Sequence, residues 1–155
     1  YIGGGTAARV MSLRDGKVKM SKSDPSDMSR INLVDDDDTI ASKIRKARTD
    51  PDPLPSELDG LAERSEARNL VGIMAAATGR TEADVLRDYA GQGFGAFKPA
   101  LADALVALLS PIRTRLIELR ADPAALDARL AEGAERAREA AAPTLAAAKD
   151  AVGLI

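Results

Sequence analysis

Phe97-Lys98-Pro99-Ala100-Leu101-Ala102-Asp103-Ala104-Leu105-Val106-Ala107-Leu108-Leu109-Ser110-Pro111-Ile112-Arg113-Thr114-Arg115-Leu116-Ile117-Glu118-Leu119 is the best-patterned stretch of this chain. Its apolar residues Phe97, Leu101, Leu105, Leu108, Ile112, Leu116 and Leu119 advance by steps of three and four, which trace one face of a long α-helix. Pro111 removes a backbone hydrogen bond and predicts a kink near Ala107. Asp122-Pro123 then restarts a helix, with an N-cap followed by proline at the first helical position. A second stripe follows: Leu126, Leu130, Ala134, Ala137, Ala141, Leu145, Ala148 and Val152. It is mostly alanine, which permits close approach to a neighbour, and Pro143 falls on the opposite face. The two stripes predict an antiparallel helical hairpin with apolar side chains packed between its arms. A mainly α-helical bundle is the fold class that follows.

Upstream, helices are shorter and better punctuated. Glu66 to Thr78 predicts a helix burying Leu70, Ile73, Met74 and Ala77, stopped by Gly79. Thr81-Glu82-Ala83-Asp84 reads as an N-cap with an acidic first turn, and Val85, Leu86 and Tyr89 belong to the helix it opens. Gly91-Gln92-Gly93-Phe94-Gly95 has the composition of a nucleotide loop. No strand precedes it, so a tight connection between helices is the reading preferred. Lys98 reads as an exposed first-turn lysine, with an RNA contact as the alternative. Pro51, Pro53 and Pro55 make a loop that no helix crosses. Before it, Ile40, Ile44 and Ala47 share one face of a helix expected to start near Thr39 and to end at Thr49-Asp50. Asp35 to Asp38 sit at its N-terminus, where carboxylates favour the helix dipole by roughly 0.3–1 kcal/mol each. That placement is preferred to a metal site, because no spaced ligand loop accompanies the run. Lys43, Arg45, Lys46 and Arg48 lie on the flanks and back of this helix, either as a solvated face or as a contact for an RNA backbone.

Near the start, Arg9 to Leu13 predicts a short strand and Asp15-Gly16 a turn. Gly3-Gly4-Gly5-Thr6 does not satisfy GxxxxGKS/T and reads as a flexible entry segment. Lys19-Met20-Ser21-Lys22-Ser23, followed by Asp24-Pro25, is the chemically distinctive run. Two ammonium groups and two hydroxyls can converge there on one anionic group, and lysine binds phosphate as a compact point charge.

The run KMSKS resembles the signature loop of class I aminoacyl-tRNA synthetases. The words around it narrow the likeness: Ala8 to Leu13 before it, Ser23-Asp24-Pro25 after it, then Lys43-Ile44, Ala47, Thr49-Asp50, Gly91 to Lys98 and Glu132 to Glu135. In that order they resemble the C-terminal half of bacterial tryptophanyl-tRNA synthetases, over nearly the whole chain from Arg9 onward. The resemblance implies a helical, anticodon-binding-type domain at 35–155, preceded at 1–34 by the KMSKS loop at the edge of a nucleotide-binding α/β domain that is missing here. It implies ATP as substrate, with Mg2+ accompanying it, and tRNA(Trp) and tryptophan as partners. It also implies a homodimer whose interface belongs to the missing half. Lys19 and Lys22 would be catalytic, stabilising the triphosphate as pyrophosphate leaves. Met20, Ser21 and Ser23 would complete ATP binding, and Lys43, Arg45, Lys46 and Arg48 would face tRNA. No metal ligand is assigned.

Bulk composition constrains these readings. With no cysteine and no histidine, the chain has no thiolate site, no imidazole base, and no place for the HIGH motif that also contacts ATP in this family. A piece of a larger enzyme, inactive alone, is therefore expected. A net charge of -2, from 22 basic and 24 acidic residues, lacks the basic surplus usual in nucleic-acid modules, so any RNA contact must be local. No apolar run is read as a membrane span and no signal-peptide pattern opens the chain, which predicts a cytoplasmic protein. A non-catalytic helical module binding RNA or protein is the alternative, with the lysine run as a solvated linker; a scaffold without a ligand is a third. Tyrosyl-tRNA synthetases are the nearest confusable relatives, but the helical tail does not suit them.

Overall fold

The structure, a computed structural model, describes residues 9–153. The entry segment read at Gly3–Thr6 lies outside them. Five helices make up the described chain: α1 (Asp37–Arg45), α2 (Ser65–Thr78), α3 (Glu82–Tyr89), α4 (Phe94–Ala121) and α5 (Pro123–Ala151). Single 3-10 turns stand at Asp27–Ser29 and Leu58–Leu61. The chain divides into two compact units, one ending at Arg113 and the other starting at Thr114.

The first unit has a continuous apolar core. Ile40 and Ile44 of α1, Leu70 and Val71 of α2, Val85 and Leu86 of α3, and Phe97 and Leu101 of α4 are all buried, as are Leu13, Leu54 and Leu61 from the connecting segments. Phe97 stands edge-on to Tyr89 and Phe94, with ring centroids 5.1 and 6.3 Å apart. The helix punctuation follows local chemistry. Asp36 caps α1 by accepting from Thr39 N–H at 2.7 Å, and Thr81 caps α3 by accepting from Asp84 N–H at 3.1 Å. Gly79 ends α2 at φ 66°, where only glycine is unstrained.

Three local expectations need correcting. The strand at Arg9–Leu13 is a single antiparallel bridge between Met11 and Lys19, across the turn at Asp15-Gly16. Its partner is the chain's own next segment. The helix α1 starts two residues earlier than Thr39 and stops at Arg45. It stops because Ala47 N–H closes a tight turn on Ile44 O, and Arg48 N–H is taken by Leu13 O at 2.8 Å. The glycine segment donates only part of itself to a connection, since Phe94 and Gly95 are already helical. Leu54 holds the connection in place, donating to Gln92 O at 2.9 Å and accepting from Gly91 N–H at 2.8 Å.

The long stripes behave differently from the hairpin-core expectation. In α4 Phe97, Leu101 and Leu105 are buried, but Leu108 and Ile112 are 44% and 45% exposed. In α5 no residue is buried, and Leu130 and Leu145 are more than half exposed. Alanine offers little area for burial, so a helical pattern made largely of alanine fixes the helix without fixing a core. Both helices run unbroken through their internal prolines, Pro99 and Pro111 in α4 and Pro143 in α5. By length and hydropathy α4 would also pass as a membrane span, against the expectation that no such run exists. Five of its side chains, Phe94, Phe97, Leu101, Ala102 and Leu105, instead enter the core of the first unit.

Candidate functional site

The lysine–serine run leaves the return leg of the Met11–Lys19 turn. Ser12 N–H donates to Val18 O at 2.8 Å and Met20 N–H to Val10 O at 3.1 Å, so Lys19 is fixed by backbone pairing on both sides. At the tip, Lys17 N–H donates to the Asp15 carboxylate at 2.9 Å, an Asx turn. This turn is fastened to α2 by two devices. Gly16 lies against the first turn of α2 so closely that a Cβ there would sit 2.4 Å from Ser65 C and 2.5 Å from Glu66 N. Asn69, one helical turn on, brackets Met11 like a neighbouring strand: its Oδ1 accepts from Met11 N–H at 2.9 Å, and its Nδ2 donates to Met11 O at 2.9 Å. Backbone bonds from Leu13 to Ser29 O and from Arg48 to Leu13 O complete the attachment.

Beyond Lys19 the run is open to solvent. Met20 is half-buried against the core, while Lys19, Ser21, Lys22 and Ser23 are exposed. The Ser21 hydroxyl accepts from Ser23 N–H at 3.2 Å and keeps its own proton to donate. Neither Lys19 nor Lys22 enters an ion pair among the described residues. Two cationic groups and two hydroxyls thus project from a short, backbone-ordered loop. Such a donor set suits an oxyanion-rich ligand such as a phosphate chain.

The far end of the loop is tied down by charge. Arg30 donates through Nη1 to Asp24 O at 2.9 Å and Ser26 O at 3.3 Å, and pairs through Nη2 with Asp27 at 3.1 Å. Lys43 places Nζ 2.6 Å from Asp27 Oδ2 and 2.6 Å from Asp35 Oδ2. Hydrogen bonds from Lys43 and Asn32 hold the Asp27 carboxyl below its usual range. Burial works against the Lys43 charge, yet the two carboxylates outweigh it and raise the ammonium above its ordinary value. Arg113 of α4 closes the cluster, donating to Asp35 O at 2.7 Å and to Asp37 at 2.6 Å. The acidic run at 35–37 is therefore shared out: Asp35 to Lys43, Asp36 to the helix cap, Asp37 to Arg113.

This arrangement corrects the basic face expected on α1. The Lys43 side chain is only 1% exposed and already carries two carboxylates, so it is not on the surface available to a nucleic-acid backbone. Arg45, Lys46 and Arg48 are exposed. Lys98 is neither a free surface lysine nor free for RNA: its Nζ caps the end of α1, donating to Ala47 O at 2.7 Å and Arg45 O at 3.3 Å. Burial pushes its ammonium below the ordinary range. The sequence carried one overlooked signal for Lys43. It stands three residues after Ile40 and four before Ala47, on the buried stripe itself. Asn69 and Arg113 gave none, because their partners lie 58 and more than 70 residues away.

Two cavities lie elsewhere in the first unit. One of about 280 Å³ is bordered by Arg9, Met11, Arg68, Asn69 and Glu82; one of about 510 Å³ lies between Arg45, Phe94, Lys98 and Asp103. Neither includes Lys19 to Ser23.

Comparison with known proteins gives this geometry its context. Residues 4–110 match the family of tRNA synthetases class I (W and Y). The chain is 65% identical over 149 residues to a tryptophan–tRNA ligase of Caulobacter vibrioides, covering 96% of this chain and 43% of that protein. It is 59% identical over 152 residues to the tryptophan–tRNA ligase of Rhizobium meliloti, covering 98% of this chain and again 43% of the relative. The crystal structure of tryptophanyl-tRNA synthetase from Mycoplasma pneumoniae superposes with a TM-score of 0.78 at 26% identity, over 95% of this chain and 46% of that one. The chain thus spans less than half the length of these relatives. With the lysine–serine loop and the helical core both inside the matched region, this chain belongs to the class I tRNA synthetases of the W and Y group.

Proposed function

We propose that this chain is the C-terminal part of a tryptophan–tRNA ligase, with residues 1–34 ending its nucleotide-binding domain and 35–155 forming its helical tRNA-facing part. The observation that carries the reading is the loop Lys19–Ser23: cationic, exposed, unpaired among the described residues, and held at both ends by built contacts. In the whole enzyme the tryptophan carboxylate attacks the α-phosphorus of ATP, and pyrophosphate leaves. Lys19 and Lys22 meet the charge that develops on the departing phosphates, where oriented cations stabilise the transition state most. Ser21 and Ser23 donate hydrogen bonds to phosphate oxygens, and the backbone at Met20 lies beside the adenine. Mg2+ would travel on the ATP oxygens, since ammonium groups and hydroxyls complement phosphate rather than a cation. The aminoacyl group then passes to tRNA(Trp), and exposed Arg45, Lys46 and Arg48 are the surface cations proposed to meet its backbone. A cytoplasmic homodimer completes the reading.

Tryptophan-dependent ATP–pyrophosphate exchange tests it, run on the full-length protein carrying this chain and on the chain alone. Exchange by the full-length protein and none by the chain is the expected result. Well-folded full-length protein without exchange would overturn the assignment and leave a helical RNA-binding module, recognisable by salt-sensitive RNA affinity indifferent to ATP.

A further inference from the structure

The segment that follows the lysine–serine loop is anchored to the helical core, and one buried group makes that anchor. Lys43 is an inaccessible ammonium with no direct path to a ligand, yet it grips two carboxylates at 2.6 Å. One of them, Asp27, lies four residues after Ser23 and is itself 56% exposed; the other, Asp35, opens the approach to α1 and is 8% exposed. Asn32 reinforces both, donating through Nδ2 to Asp27 at 2.9 Å and to Asp35 at 3.2 Å. Arg30 links Asp27 to the carbonyls of Asp24 and Ser26, the stretch directly following the loop. A continuous line of ionic hydrogen bonds therefore runs from the interior of α1 to the end of the phosphate-binding run.

We propose that Lys43 and Asp27 are positioning residues for Lys22, acting on adenylate formation without touching ATP. The inference rests on the ligase reading and adds to it the pair that sets the loop. Lys43 holds Asp27 and Asp35 together through charge-assisted hydrogen bonds, roughly twice as strong as neutral ones, so the Asp27 carboxylate resists displacement from α1. That resistance matters because displacement of a catalytic group by about 1 Å can cost on the order of 100-fold in rate.

The test is a double-mutant cycle in the full-length protein, measuring ATP–pyrophosphate exchange for wild type, Asp27→Ala, Lys22→Ala and the double variant. Asp27→Ala is the principal variant because its side chain is more than half exposed and the chain keeps Asp35 for Lys43. The expected result is a loss of about 10- to 100-fold in kcat for Asp27→Ala, with KM for tryptophan unchanged. In the Lys22→Ala background the same change costs less than about threefold, because the group it positions is gone. Equal losses in both backgrounds, no loss at all, or a matching rise in KM for tryptophan would overturn the proposal. Lys43→Met should repeat the pattern if circular dichroism shows it folded; if it unfolds, Asp27→Ala decides. Failure of the parent reading looks different: wild type shows no exchange, or Lys22→Ala exchanges at the wild-type rate.

Discussion

Gly16→Ala should cost this chain about 2–4 kcal/mol of stability, a large effect for one methyl group in a turn. The added Cβ would lie 2.4 Å from Ser65 C, 2.5 Å from Glu66 N and 2.6 Å from Ser65 O, all backbone atoms of a helix start. Relief needs a retreat of about 1 Å to reach ordinary van der Waals separation, and no flexible side chain is available to give way. Overpacking of this kind typically costs about 1–3 kcal/mol. The retreat also stretches the Asn69–Met11 pair, whose hydrogen bonds each contribute about 1 kcal/mol. Gly91→Ala is the control: nothing lies within 4 Å of its added Cβ, and only its φ of 73° resists, for about 1–2 kcal/mol. Urea unfolding monitored by circular dichroism measures both, the change read from the midpoint at constant m. A Gly16→Ala protein within about 0.5 kcal/mol of wild type, or one more stable than Gly91→Ala, would refute the close seating of the turn on α2.

Three further outcomes follow from the same structure. Phe97→Ala, at a position 0% exposed between Tyr89 and Phe94, should destabilise by about 3–5 kcal/mol; a loss under about 1 kcal/mol in urea unfolding would contradict its place in the core. Replacing Arg45, Lys46 and Arg48 together by glutamine should weaken tRNA binding by the full-length protein and flatten its salt dependence, whereas Lys43→Gln should act through the loop and leave the salt slope unchanged. An unchanged slope for the triple variant would remove α1 as a tRNA contact. The third outcome concerns acid. The carboxyls of Asp27, Asp36, Asp50, Glu66 and Asp84 all lie below their ordinary values of 3.8 or 4.5. Each therefore contributes stability that is present above its unfolded value and is lost as pH falls through the lower folded one. Unfolding free energy should be flat near neutrality and decline below about pH 4.5, and Asp50→Asn, which loses the Arg64 pair, should shallow that decline. An unchanged acid limb in Asp50→Asn would show that this ion pair does not operate.

Much of the first unit is legible in the sequence because its signals are local. Gly79 and Thr81 punctuate its helices through bonds that span only a few residues, as Asp122-Pro123 does in the second unit, and the Phe97–Leu101–Leu105 spacing dictates which face is covered. The lysine–serine loop is equally legible as chemistry, since its donor set needs no tertiary context to be recognised. Contacts decided at long range are not legible in the same way. The charge of Lys43 points to the surface, while its position on the Ile40–Ala47 stripe points inward; its burial depends on Asp27 and Asp35 arriving from a separate segment. Lys98 is likewise fixed by carbonyls about 50 residues away. The alanine-rich pattern of α5 predicts the helix correctly but not its burial, because periodicity names a face and says nothing of what covers it.

The most direct measurement is single-turnover formation of tryptophanyl-adenylate by the full-length protein with Lys22 intact and with Lys22→Ala. The account predicts a fall of roughly 100-fold or more in that rate, with tryptophan affinity and the thermal unfolding transition unchanged. Adenylate formed by Lys22→Ala at the wild-type rate would contradict it, and would reduce the exposed lysine–serine loop to a solvated turn.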